Sequence, residues 1–407
     1  MPHILEPARE IPVAAEYDVL VCGAGPAGIA AALAAARAGA RTGLVEVQGC
    51  LGGIWTAGLL AYFLDYANKG GLMAEIIAEL EQREARAFDS QGSPTNAFDV
   101  EEVKILLEDL CQAAGIDIRL HTRVTQTHVV DGRLTHAVIE DKSGRRALAA
   151  RTFVDCTGDG DLAALAGCGF DFGHPETGAT QPFSLIMLVG GIQRSEVRAY
   201  FREGKEAWGG AKGRLQADMA AGGCDPSYAN PSLFPVRDDF FIVMSNHEYQ
   251  FSGLCAEDLT AATLKARREL HDQINGLRAQ GGVWQDIHIL STGDRIGVRE
   301  GRRIHGLHTV TLEDMMAGAR HEDAVCRVHF GIDVHSTNPH ANKGIEGSKP
   351  RIQPYDIPLR ALIARDVEGL MMAGRCISGD FLAHSSYRVT GDAVTMGEAA
   401  GGHAAGP

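Results

Sequence analysis

Three glycines, Gly23, Gly25 and Gly28, stand in GxGxxG spacing within GAGPAG, with Pro26 and Ala27 between the last two. Glycines so spaced bring bare backbone against a pyrophosphate: the first permits the tight turn, the second the close approach, and the third lets the next helix sit tightly on a sheet. Glu46 follows Gly28 by 18 residues, where a carboxylate accepts hydrogen bonds from ribose hydroxyls and disfavours a 2′-phosphate. The chemistry these residues point to is dinucleotide binding. Other reactive types lie far away along the chain. Arg295, Arg299, Arg302 and Arg303 cluster in RIGVREGRRI, His335 lies in GIDVHSTNPH, and His384 and Arg388 are four apart in AHSSYR. Arginine clamps a carboxylate through two parallel hydrogen bonds, and histidine is the acid or base that titrates nearest neutrality. The arginine cluster suits cofactor phosphates or an anionic substrate, or an ion-paired structural segment with Glu300.

The glycine motif needs a strand before it and a helix after it, and both are legible. YDVLVC, from Tyr17, is a short β-branched run, and IAAALAAARAGA, from Ile29, is a helix former stopped by Gly39. ARTGLVE then gives a second apolar run ending at Glu46. The result is a βαβ unit, which builds parallel sheet. Helical periodicity follows in LMAEIIAELEQREARAF and again from Val100 to Ala114. From Ile116 to Asp155 the pattern alternates as in hairpins, with turns at Asp131-Gly132 and Ser143-Gly144, and runs into a second glycine turn, Thr157-Gly158-Asp159-Gly160. A helix is expected over Glu257–Ala279, and the last block reads as strand, glycine turn, polar loop and small-residue helix. The two strand-to-glycine turns predict an α/β architecture of three parts: residues 1–169 and 359–407 forming one Rossmann-like domain, with a parallel sheet, helices and a β-meander, and residues 170–358 inserted as a mixed α+β substrate domain.

Composition agrees with a globular protein. Apolar residues are 45% and charged residues 22% of 407, which leaves out disordered and fibrous classes. The net charge of −14 disfavours nucleic acid and anionic lipid as partners. Nine cysteines without a CxxC pair fit reduced thiols in a cytoplasmic protein. No apolar stretch reaches the length of a membrane span, and the first residues do not read as a signal peptide. No histidines stand at a recognised metal-ligand spacing, so no metal is expected. Glycine is in excess, 49 of 407 or about 12% against about 7% on average.

Five segments together resemble the FAD-dependent oxidoreductase family of the glutathione-reductase-like superfamily: YDVLVCGAGPAGIAAALAAARAGARTGLVE, GCLGGIWTAG, FVDCTGDGDLAALAG, DRIGVREGRRIHG with GIDVH, and YDIPLRALIA leading to GLMMAGRCISGDFLAHSSYRVTGDAVTMGEAAG. The resemblance implies non-covalently held FAD. It implies that the loop from Gly52, Gly53 and Ile54 to Thr56 runs along the pyrophosphate toward the isoalloxazine, that Thr157 and Gly158 close over the cofactor with Asp161 opening a short helix, and that Val124 meets the adenine edge. It also implies that Gly374 and Arg375 approach the ribityl chain and phosphate. In SSYRVTGDAVTMGEAAG, which is similar to fumarate-reductase-like flavoproteins, Val389, Thr390 and Gly391 would aim a helix start at the flavin N1/O2 edge. His384 and Arg388 resemble the His and Arg that hold a carboxylate or carbonyl near the flavin there.

No second GxGxxG offers a site for a nicotinamide cofactor, and no cysteine pair fits a disulfide reductase. The reading is an FAD-dependent oxidoreductase of dehydrogenase or oxidase type, moving a hydride between a small polar metabolite, carboxylate- or carbonyl-bearing, and flavin N5. Electrons would pass to O2, a quinone or a carrier protein. The candidate catalytic residues are His384, Arg388, Arg299 and His335. A flavin monooxygenase and a flavin-carrying subunit of a larger redox complex stand as alternatives, and a homo-oligomer is compatible with the sequence.

Overall fold

The computed structural model describes residues 3–204, 206–347 and 349–406. Its central sheet is built from strands β1 (Val13–Cys22), β2 (Thr42–Val45), β3 (Asp117–Arg119), β4 (Arg123–Val130), β5 (Arg133–Asp141) and β6 (Gly144–Asp155). A second sheet holds β7 (Met187–Gly190), β8 (Ser232–Pro235), β9 (Phe240–Met244) and β10 (His288–Thr292), and β11 (Leu370–Met372) returns to the first. The helices used below are α1 (Pro26–Arg37), α2 (Gly71–Gln82), α3 (Val100–Ala113), α4 (Asp161–Leu165), α5 (Trp208–Ala221), α6 (Ala256–Ala279), α7 (Leu312–Ala317), α8 (Phe381–Tyr387) and α9 (Thr390–Ala404).

The central sheet runs in the order β3-β2-β1-β6-β5-β4, with β11 also on β6. Strand β1 pairs in parallel with β2 on one side and β6 on the other. Strand β6 serves two neighbours on its far side. Its first half, through Ala149, pairs antiparallel with β5, and its last residues, Phe153–Asp155, pair in parallel with β11. The C-terminal segment thus lies beside the strand that ends in the second glycine turn. Val19, Leu20, Val21 and Cys22 are all fully buried, as expected of a parallel strand covered on both faces.

Residues 116–155 are not all hairpin. The turns at Asp131-Gly132 and Ser143-Gly144 join β4, β5 and β6 as read, but β3 pairs in parallel with β2 and extends the Rossmann side of the sheet. Alternation in three residues does not tell an edge strand of a parallel sheet from a hairpin arm. The final block also differs from its reading: the stretch expected as a polar loop is α8, capped by Asp380, whose carboxylate accepts from the Ala383 N–H at 2.7 Å.

Helix α9 lies against α1 with almost no side chain between them. A Cβ at Gly397 would stand 2.0 Å from the Ala27 carbonyl oxygen, and one at Gly401 2.0 Å from that of Ala31. Residues four apart share a helix face, so these two glycines and two alanines form the contact stripe. The start of α9 is fixed from another side by Lys69, whose Nζ lies 2.7 Å from the buried Asp392 carboxylate.

The described residues form two apolar cores. One surrounds the central sheet and includes residues as distant as Val19, Ile304, Val328, Ile357 and Met396. The other fills the space between the second sheet and α5 and α6, with Phe183, Phe241, Leu270 and Trp284. The sequence from Ile304 to Ile357 therefore packs with the N- and C-terminal parts, while residues from Phe183 to Ile296 supply the second core. Among the described residues, no helix is long and apolar enough to cross a membrane.

Candidate active site

A cavity of about 1050 Å³ runs from the ends of β1 and β6 to the second sheet. At its inner end the two glycine turns touch. Gly23 has φ +96°, and a Cβ there would lie 2.4 Å from the Cys156 carbonyl oxygen. Gly28 does not line the cavity; its missing Cβ makes room for the Gly23 carbonyl, 1.8 Å from where that atom would be. Gly25 is different. A Cβ built on it meets nothing within 4 Å, and it opens on the cavity at the N-cap of α1, where no side chain caps the helix. Free N–H groups and the positive end of the helix dipole face that space.

Glu46 is buried, and its two carboxylate oxygens accept from the Ala24 N–H at 2.6 Å and the Gln48 N–H at 2.9 Å. It thereby ties the glycine turn to the end of β2 while also forming cavity wall. Gly53 and Ile54 line the cavity as well. Gly52 and Thr56 do not: Gly52 donates to the Ala24 carbonyl at 2.8 Å, and the Thr56 hydroxyl donates to that of Leu51 at 2.5 Å, so both shape the loop from behind. Val124 forms wall, in register with Ile139 on β5.

Thr157, Gly158 and Asp161 line the opposite side. They are organised by Asp155, a residue the sequence reading passed over. Its carboxylate accepts from the Thr157 hydroxyl at 2.7 Å, the Thr157 N–H at 3.0 Å and the Ala163 N–H at 2.8 Å. Burial outweighs these bonds and raises its pKa to about 6. Gly374, Arg375, Val389 and Thr390 complete this region. Arg375 pairs with Asp159 through Nη2 at 3.0 Å, yet its Nη1 and the Thr390 hydroxyl are buried without a partner among the described residues. The Gly391 N–H is already committed to the Leu64 carbonyl at 3.0 Å, and a Cβ at Gly391 would strike the Asp65 carbonyl oxygen at 2.4 Å. Gly391 is a packing residue and not part of the wall.

Toward the second sheet the cavity becomes cationic. The half-buried Arg299 donates through Nη1 to the Pro182 carbonyl at 2.6 Å and the Ser184 hydroxyl at 2.9 Å. Arg388, at the C-cap of α8, donates to the carbonyls of Arg299 (3.3 Å) and Asp333 (2.6 Å) and to Gln181 Oε1 (3.1 Å). Burial lowers the pKa of both guanidiniums, that of Arg388 to about 10, so both stay charged near neutrality. Burial alone would raise the Asp333 pKa; His335 and the two arginines overcome it and hold the carboxyl well below its usual range. His335 Nε2 lies 3.3 Å from Asp333 Oδ2. Burial, followed by the charge of Arg299, lowers its pKa to about 3, so the ring is neutral. Tyr228 and Lys212 join this wall, and the Tyr228 ring sits 5.9 Å from that of His335.

His384 is corrected by the structure. It is fully buried, with both ring nitrogens unpartnered among the described residues and its ring edge-on to Tyr387 at 5.7 Å, and it does not reach the cavity. Of the other clustered arginines, Arg303 pairs with Glu300 at 3.1 Å, Arg302 with Asp161 at 2.8 Å, and Arg295 lies 3.8 Å from Asp159. Asp380 caps α8 and Asp392 pairs with Lys69. Asp333 could have been noticed two residues before His335 in GIDVH; nothing local in the sequence singles out Tyr228, Lys212 or Gln181.

Residues 18–406 match the family described as FAD dependent oxidoreductase. The chain belongs to that family. A comparison with curated proteins gives no match. Similar solved structures include a geranylgeranyl bacteriochlorophyll reductase-like protein from Thermoplasma acidophilum, at 14% identity over 96% of this chain and 77% of that one, TM-score 0.46. The myxobacterial chondrochloren halogenase is 12% identical over 91% and 71% of the two chains, TM-score 0.46. The p-nitrophenol 4-monooxygenase of Pseudomonas putida DLL-E4 is 13% identical over 72% and 70%, TM-score 0.42.

As a member of this family the protein uses FAD, and the cavity's inner half fits that cofactor. The open space over Gly25, the uncapped start of α1 and the orphaned Arg375 Nη1 are what a dinucleotide pyrophosphate requires.

Proposed function

We propose that the protein oxidises a small anionic metabolite, as a dehydrogenase or oxidase, with the substrate held in the cationic half of the cavity. FAD, when bound, supplies a two-electron acceptor for a substrate hydride. Gly23, Gly25, Glu46, Gly53, Val124, Thr157, Gly158 and Arg375 would hold it.

The observation that carries the substrate class is a charge imbalance. The guanidiniums of Arg299, Arg388 and Arg303 are met by two carboxylates, Asp333 and Glu300, with Glu300 paired to Arg303 and also acting on Arg388, which leaves one positive charge in excess. Buried charges are ordinarily paired, and a substrate carboxylate would complete the set. Arg388 is already tied to three oxygens and acts as the rigid side of the clamp, while Arg299 directs Nε and Nη2 at no acceptor among the described residues.

His335 takes the role of base. With Nε2 turned to Asp333, Nδ1 is the atom left to take a proton; it is shielded and without a partner among the described residues, so the ring must turn to present it to a substrate. A base of pKa about 3 is weak, but a bound anion offsets the positive charge of Arg299, the second cause of that depression. Substrate binding therefore raises the basicity of His335 at the moment a proton must leave the substrate. Asp333 orients the ring and stabilises its protonated form. His384, enclosed away from the cavity, has no part in proton transfer.

The test is anaerobic bleaching of the flavin absorbance by a panel of small hydroxy- and amino-carboxylates and their uncharged amides. Bleaching by a carboxylate and not by its amide is expected, and Arg299→Ala should raise KM for it by about 100-fold or more (about 2.7 kcal/mol) with FAD retained. Equal bleaching by both members of a pair, or an unchanged KM, would overturn the assignment.

One observation favours a second reading, an oxygen-inserting enzyme acting on an aromatic substrate. The cavity wall carries Tyr62, Phe234 and Trp208, with ring centroids 4.5 Å apart for Tyr62 and Phe234 and 5.9 Å for Trp208 and Phe234. Turnover under labelled O2 separates the two, because only the second puts the label in the organic product.

A further inference from the structure

The segment from His308 to His321 lies outside the cavity and has no part in the chemistry above. Three potential ligand atoms, one each from His308, Asp314 and His321, lie within 4.8 Å of one another. Asp314 belongs to the capping box with Thr311 that starts α7, His308 lies three residues before Thr311, and His321 lies just beyond the end of that helix. The two imidazoles are 5.1 Å apart between ring centres and inclined at 68°.

The environment of the nitrogens points to a ligand. Nε2 of His308 and Nε2 of His321 are both shielded from solvent and have no hydrogen-bond partner among the described residues. Buried polar atoms without partners are uncommon and call for a missing one. His308 Nε2 is 3.5 Å from Asp314 Oδ2, too far for a good hydrogen bond. That separation is close to the edge of a tetrahedron around an ion with bonds of about 2.0–2.1 Å, which is about 3.4 Å. Asp314 Oδ2 is already oriented, since it accepts from the Thr311 N–H at 3.0 Å and hydroxyl at 3.2 Å. A positioned carboxylate and two imidazole nitrogens are a donor set for a first-row divalent cation and not for Ca²⁺ or Mg²⁺, which take oxygen ligands.

We infer that His308, Asp314 and His321 form a binding site for a tetrahedral divalent cation of the Zn²⁺ type, its fourth position taken by water. The spacings of six and seven residues match no familiar zinc motif, so the site is not legible from spacing. The ion would brace the segment that holds α8. The Val310 carbonyl accepts from the Asp380 N–H at 2.9 Å, and the Leu312 N–H donates to the Asp380 carboxylate at 2.6 Å. Asp380 caps α8, and α8 ends on Arg388.

The experiment is a titration of chelator-treated, FAD-loaded protein with Zn²⁺ by calorimetry, repeated on His321→Gln, Asp314→Asn and His128→Gln. Asparagine can still accept the helix-capping bond, so Asp314→Asn is the variant that spares the fold. His128 and His136, with rings 5.8 Å apart, are the histidine pair elsewhere that serves as control. One equivalent should bind at micromolar Zn²⁺ or below, His321→Gln and Asp314→Asn should weaken binding by at least about 100-fold, and His128→Gln should leave it unchanged. Zinc-edge anomalous diffraction from wild-type crystals should place the ion between the three side chains. Wild-type affinity in both ligand variants, no binding at micromolar Zn²⁺, or an anomalous peak elsewhere overturns the site.

Discussion

His384 and Arg388 are four residues apart and were paired in the sequence reading, yet only Arg388 meets the cavity. They share a helix face, but four residues advance about 6 Å along the axis, and the cavity wall reaches only the end of α8. Enclosure gives His384 a measurable signature of its own. Burial first, and then the charges of Arg388, Arg303 and Arg375, hold its pKa well below the ordinary value. The native ring is neutral, while the unfolded chain takes up a proton as the pH falls through about 6.5. The unfolded state then binds more protons, so His384 makes the protein lose stability below that pH at up to about 1.4 kcal/mol per unit. Asp155, raised to about 6, contributes with the opposite sign over a lower range, so a difference measurement is needed. Relative to wild type, the unfolding free energy of His384→Phe should rise by roughly 1 kcal/mol between about pH 7 and pH 5.5, read from urea midpoints. Parallel curves would mean that His384 titrates in the native protein as it does in the unfolded chain.

At the scale of elements, what was legible was local. The Gly23 turn, α1, α3, α6 and the two hairpin turns each depend on a few adjacent residues; the structure has α3 and α6 within a residue of the expected ends, and starts α1 at Pro26, three residues before Ile29. What was not legible depended on neighbours: the parallel pairing of β3, the helical state of α8, and the meeting of Tyr228 with His335 across more than a hundred residues. The small-residue helix α9 shows both. Its composition announced a helix, while which of its glycines mattered is decided by α1. Gly401 faces the Ala31 carbonyl, whereas a Cβ at Gly402, one residue on, meets nothing within 4 Å. Two alanine substitutions one residue apart should therefore have opposite signs. Gly402→Ala should stabilise by about 0.5–1 kcal/mol through helix propensity, and Gly401→Ala should destabilise by about 1–3 kcal/mol through overpacking. Denaturant midpoints measure both; equal shifts would show that α1 and α9 are not held at this distance.

For the whole molecule, the cavity explains how a chain of net charge −14 is suited to an anionic cofactor. Its field is overcome locally, by the end of α1 and by Arg375, and the glycine excess serves two purposes that composition alone does not separate. Gly28, Gly391, Gly397 and Gly401 let one part of the chain approach another, whereas Gly25 leaves room for something the chain does not supply. FAD at the proposed place would touch residues from Gly23 to Thr390 and would bind only the native assembly, and so would add stability by mass action, about 2.7 kcal/mol at a free concentration one hundred times Kd. Tm should therefore keep rising with FAD beyond saturation. Gly25→Val should lower the Tm of the FAD-free protein by no more than a few degrees, the cost of a poorer N-cap, since its Cβ enters open space, and should abolish the FAD-dependent rise. Gly28→Val should lower the FAD-free Tm further, because the Gly23 carbonyl occupies the position its Cβ needs. If Gly25→Val retained the rise, the pyrophosphate would lie elsewhere in the cavity, and the assignment of its inner half to FAD would fall with it.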